Sequence, residues 1–216
     1  MNQTRARQTG FTLIELLVVM TIIVILGGLG IPRLIEAMRE AEMTKSKGNL
    51  ENIYAGIMSY ERKNGRIPGK QADGTTVSGS AFVCAVWGDP YIEKSMKNAE
   101  MFFCASLSAP PLTEENVDEW VTPENIHWAG LNQDDKNYAK GRTTAKNTSK
   151  TVIICNKPLF ENEMPHAGRS LAVLYLDGHV GQFDRDQWGE DWSDEEPLSI
   201  GPESPVEALQ GLQGDE

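Results

Sequence analysis

The sequence predicts an α+β protein, with one long N-terminal helix whose second half packs against a small antiparallel β-sheet. Three observations predict it. Residues 11–31 form the only long apolar run. From residue 34 onward, apolar side chains recur at three- and four-residue spacing, the period of a helix with one buried face. Near the C-terminal end, LAVLYL and HVGQF flank Asp177 and Gly178, a strong hairpin signal. The chain accordingly divides into residues 1–10 (a polar leader), 11–31 (an apolar half-helix), 32–65 (an amphipathic half-helix), 66–190 (an α+β domain) and 191–216 (an acidic tail).

Residues 11–31 contain one charge, Glu15. At ~1.5 Å per residue this run spans roughly 30 Å, the thickness of a bilayer core. A secretory signal peptide would offer Gly28-Leu29-Gly30 as a cleavage site, but the run is long for one and an acid near its start is unusual. A plain membrane anchor leaves Glu15 unexplained, because a lone carboxylate in hydrocarbon costs at least ~2.5 kcal/mol, less near a helix end.

A third reading explains the glutamate. The run G-F-T-L-I-E at residues 10–15 resembles the processing site of type IV prepilins and type II secretion pseudoprepilins, and Pro32 stands where that family commonly has proline. The resemblance implies that a prepilin peptidase cuts between Gly10 and Phe11 and methylates the new terminal amine of Phe11. It implies that Glu15 pairs with the terminal amine of a neighbouring subunit, turning a costly charge into a register device. It further implies a single-pass protein of the bacterial inner membrane, cytoplasmic at its N-terminus before processing and with its domain on the periplasmic side. Its partners would be the peptidase, other pilin or pseudopilin subunits and the inner-membrane assembly machinery. The basic residues do not fix orientation by themselves, since Arg5 and Arg7 precede the span while Arg33, Arg39, Lys45 and Lys47 follow it.

Gly27, Gly28, Gly30 and Pro32 weaken the helix, so a kink or melted turn is expected at Pro32. Leu34, Ile35 and Met38, then Leu50, Ile53, Tyr54, Ile57 and Met58, carry the apolar stripe. The helix should stop at Asn64-Gly65, with Pro68 beyond. The run Y-E-R-K-N-G-R-I-P at residues 60–68 also resembles the helix exit of many pseudopilins.

In the domain, residues 69–79 and 134–150 read as loops, residues 81–87 as a strand or short helix, and residues 114–120 as a short helix. TVIIC, residues 151–155, reads as a buried strand. Asp177-Gly178 suits a type I′ turn. His166 followed by Asp177-Gly178 resembles the C-terminal motif of a prepilin-like group defined by a histidine, nine residues and Asp-Gly. Here ten residues intervene.

The net charge of -11, or -13 once Arg5 and Arg7 leave with the leader, repels phosphates and excludes nucleic acid as a partner. Cys84, Cys104 and Cys155 lack C-x-x-C spacing, which removes the zinc-ribbon and thioredoxin readings. One disulfide is open to a domain outside the cytoplasm, with Cys84–Cys104 closing the shorter loop, and buried thiols are the alternative. His127, His166 and His179 show no spacing for zinc or nucleophilic chemistry, so no catalytic residue is assigned and an enzyme is not expected. Asp184, Asp186 and Asp191, with Glu190 and Asp194, are hard oxygen donors that suit calcium, although without EF-hand spacing. From Asp186 onward the chain has ten acids and no lysine or arginine, the composition of a disordered tail. Two functions compete: a filament subunit, or a binding module or metal-dependent enzyme displayed on a pilin-type anchor.

Overall fold

The computed structural model describes residues 11–69, 76–132, 148–157, 165–187, 200–204 and 206–213. The chain forms two compact units, Met1–Glu40 and Ala41–Glu216.

The first unit is described from residue 11, and helix α1 (Leu13–Asn64) begins there. Thr12 and Glu15 start the helix as a reciprocal pair. Glu15 Oε2 accepts from the Thr12 backbone N–H at 2.8 Å, and Thr12 Oγ1 accepts from the Glu15 N–H at 3.3 Å. This is a capping box, which satisfies amides that the first turn leaves without partners. The side chains that follow are almost all apolar, from Leu13 at 82% exposed to Ile25 at 55%. The turn at Gly27–Pro32 stays helical, so the melted turn expected there is absent. Pro32 removes its own N–H from the ladder, and good helix formers after it (Arg33, Leu34, Glu36 and Ala37) carry the helix on.

In the second unit, α1 buries Leu50, Ile53 and Ile57 of the predicted stripe, with Tyr54 and Met58 half-buried at its margin. It also buries Met43 and Tyr60, which the stripe did not include, whereas Leu34, Ile35 and Met38, its expected start, are exposed. Burying each large aliphatic side chain contributes about 1.5–3 kcal/mol. Arg62 and Lys63 suit the negative end of the helix dipole. Gly65, at φ 74°, ends the helix by donating to Glu61 O at 2.7 Å, as the Asn64-Gly65 signal predicted. Gly56 lets the chain approach α1, since a Cβ there would lie 2.8 Å from the Ile92 side chain.

Three short helices follow: α2 (Ser80–Cys84), α3 (Met96–Ala99) and α4 (Val117–Trp120). The first makes residues 81–84 helix rather than strand, while Trp87 forms an isolated bridge to Ile92. The strands are β1 (Trp128–Leu131), β2 (Val152–Asn156), β3 (Ser170–Tyr175), β4 (Val180–Asp184) and β5 (Leu212–Gln213). They form one antiparallel sheet in the order β4-β3-β2-β1-β5. The inner strands β1 and β2 are buried throughout, whereas the edge strand β4 is half-buried, with only Gln182 exposed. Gly130 lets α2 seat on β1, because a Cβ there would collide with the Gly79 carbonyl.

Two expectations need correction. The hairpin forms where predicted, but not through a type I′ turn, which needs positive φ at both central residues. Gly178 alone takes it, at 96°, while Gly178 N donates to Tyr175 O and Tyr175 N to His179 O. Asp177 keeps negative φ because its carboxylate accepts from the His179 N–H at 3.1 Å, a local Asx turn. The acidic end is also not wholly a disordered tail. Leu209 and Leu212 are fully buried, and β5 pairs Leu212 with Leu131. Two leucines among many acids suffice, because β1 offers them an open, buried sheet edge.

Candidate functional site

The first turn of α1 is the leading site. Gly10 lies outside the described residues. Phe11 is 85% exposed. The Glu15 carboxylate takes two donors from one residue, the Thr12 amide and, at 2.7 Å, its hydroxyl. Thr12 was missed as a partner, although T-x-x-E ahead of an apolar run is a readable capping signal. Farther along, Thr21 returns its hydroxyl to Leu17 O at 2.8 Å, so its polar atom is met within the helix. α1 is long and apolar enough to cross a membrane, with only Glu15 charged in its apolar stretch.

The domain gathers a different set of side chains. Cys104 follows the 3-10 turn Glu100–Phe102, and its Sγ lies 3.1 Å from Ser106 Oγ, 3.6 Å from Ser46 Oγ on α1 and 3.6 Å from His166 Nε2. His127 Nδ1 accepts from the Cys104 N–H at 3.1 Å, which places the neutral ring's proton on Nε2. His166 N donates to Ser106 Oγ at 2.7 Å, and Ala105 N donates to Ser46 Oγ at 3.3 Å. The cluster thus pins residues 104–106 to α1 and to the turn Pro165–Gly168. Burial holds both imidazoles neutral, bringing His127 and His166 down to about 4, with Lys157 adding to the effect at His127 and Lys47 at His166. His166 is buried and has φ 50°, the left-handed region that few non-glycine residues adopt.

No disulfide joins Cys84 to Cys104. The Cys104 thiol is instead turned into the hydroxyl and imidazole contacts just described. Cys155 is buried in β2, and burial raises its pKa strongly, so it stays a thiol at any ordinary pH.

His179 sits apart at the hairpin. Its Nδ1 lies 2.7 Å from Asp177 Oδ1, and its ring stacks on Tyr175 at 3.9 Å between centroids. Burial pushes the Asp177 carboxyl up, but the side-chain and backbone hydrogen bonds of His179 outweigh it and hold it below its ordinary value. Gly178 packs so closely on the Tyr54 ring of α1 that a Cβ would overlap it. The three histidines therefore do not converge. Among the described residues no three His, Cys, Asp or Glu side chains are placed to hold a metal ion. Of the calcium candidates, Asp184 accepts from Gln182 Nε2 at 2.8 Å and Asp186 lies in the 3-10 turn Arg185–Gln187. Asp191, Glu190 and Asp194 lie outside the described residues.

Residues 5–31 match the family described as the prokaryotic N-terminal methylation motif. The chain is similar to the type II secretion system core protein G of Pseudomonas aeruginosa, 37% identical over 67 residues, which cover 31% of this chain and 47% of that protein. It thus spans about half the length of this curated relative. No solved structure matches. The N-terminal segment carries the methylation motif and is similar to that of a type II secretion core protein, and the long helix with an antiparallel sheet is the architecture that the resemblance implied.

Proposed function

We propose that the chain is a non-enzymatic subunit of a pilus-like or type II secretion pseudopilus filament. Prepilin peptidase cuts it after Gly10 and methylates Phe11. The apolar half of α1 anchors it in the inner membrane, with the domain on the far side from the cytoplasm. Assembly brings it against other subunits and the inner-membrane machinery.

The observation that carries this reading is the methylation motif at residues 5–31, whose apolar helical stretch holds one carboxylate, Glu15, exposed among exposed apolar side chains. Glu15 has donors from Thr12 within its own chain, which lowers the cost of placing it at the membrane before assembly. Cutting after Gly10 creates a terminal amine on Phe11, one helical turn before Glu15 in sequence. That cation from a neighbouring subunit is a stronger partner for Glu15 than a neutral hydroxyl. Any calcium held by Asp184, Asp186 and Asp191 would serve stability and not chemistry.

Glu15→Leu tests the role of the carboxylate. The variant should reach the membrane at the wild-type level, since it makes the span more apolar, while filament yield falls at least tenfold. Filaments at the wild-type level would remove Glu15 from the assembly mechanism.

A further inference from the structure

The domain carries a cavity of about 340 Å³. Its apolar wall includes Phe103, Leu107, Pro110 and Leu112, and its rim carries Lys45 and Glu100, 4.0 Å apart and both more than half exposed. The floor, at Cys104 and Ala105, is held by the buried hydrogen bonds to Ser46 and His166. A fixed floor, apolar walls and a charge of each sign at the mouth make a preformed receptor for a short amphipathic segment.

The same chain exposes such a segment. Leu34, Ile35 and Met38 are 61%, 44% and 57% exposed and lie beyond the run that fills a bilayer core. Arg33, Glu36, Arg39 and Glu40 surround them, so lipid tails are a poor environment for this turn. Leu34 and Met38 stand four residues apart on one helix face, and Arg39 follows Ile35 at the same spacing along its margin. Arg39 complements Glu100 at the cavity mouth.

We propose that the cavity between residue 45 of α1 and the loop at residues 103–112 receives the Leu34–Met38 turn of a second copy of this chain, with Arg39 of that copy paired to Glu100. The contact is heterologous, one surface against a different one, and therefore propagates from copy to copy instead of closing a dimer. It rests on the filament reading and names the surfaces that join successive subunits.

The experiment uses the full chain in membranes of cells that assemble it. In Met38→Cys/Leu112→Cys, with the native Cys84 and Cys104 replaced by serine, oxidation should give a ladder of cross-linked multimers, while either single variant gives at least tenfold less and nothing beyond a dimer. Arg39→Glu alone and Glu100→Arg alone should each lower filament yield severalfold, and the two together should restore it. Filaments without a ladder, or a charge pair that fails to rescue, would overturn the docking proposal and leave the subunit reading standing. A wild-type chain that forms no filaments in a competent cell would overturn both. A dimer from the Met38→Cys single variant as abundant as the multimers of the double would show instead a symmetric contact between helices, and would also overturn it.

Discussion

At the scale of single residues, the placement of polar groups does most of the specifying. Glu15 and Thr12 satisfy each other at the head of α1, and Cys104, Ser46, Ser106 and His166 do so inside the domain. The two buried histidines give this second cluster a pH signature. Both titrate near 4 in the folded protein against 6.5 when exposed, so between these values the unfolded chain binds more protons. Their contribution to stability is complete above pH 6.5 and is lost as pH falls toward 4. Acid unfolding near pH 5 should therefore take up about two protons from these groups, and replacing both histidines with asparagine should flatten stability across that window. An unchanged pH profile in the double variant would contradict their burial. Gly178 supplies a second residue-scale test. Alanine there meets a left-handed φ and the Tyr54 ring at once, and should lower stability by about 2–4 kcal/mol in a denaturation series on the detergent-solubilised chain.

At the scale of elements, legibility followed the strength of the local signal. Helix α1 was readable because apolar periodicity, the Asn64-Gly65 stop and Pro68 agree with one another. The β3–β4 hairpin and β2 were readable from β-branched runs and turn chemistry. Strand β1 was not, because Trp128-Ala129-Gly130-Leu131 has no alternation and little β-branching, and its strand state comes from neighbours on both sides. β5 was hidden by acidic composition, since two buried leucines weigh little in a window of charges. The type I′ expectation failed because Asp177 found a backbone donor that favours a different turn. The Cys104 cluster could not be read at all, since it joins residues 46, 104, 106 and 166 that only the fold brings together. Leu212→Ala tests the status of β5. A structured strand predicts a loss of about 2–4 kcal/mol, measured by denaturant titration, whereas a loose tail predicts none.

At the scale of the whole molecule, the sequence divides its work. In the proposed function, residues 11–31 serve insertion and assembly, and the cavity beside Lys45 is the proposed docking surface of the domain. The N-terminal motif was legible at once because processing demands particular residues at fixed spacing, whereas a docking surface leaves no such periodic trace. The whole account turns on the bond between Gly10 and Phe11. Mass spectrometry of the N-terminal peptide of the membrane-bound protein should find a chain that begins at Phe11 and carries one added methyl group on its amine. A chain that begins at Ile31, or one that retains residues 1–10 in cells with an active prepilin peptidase, would contradict it.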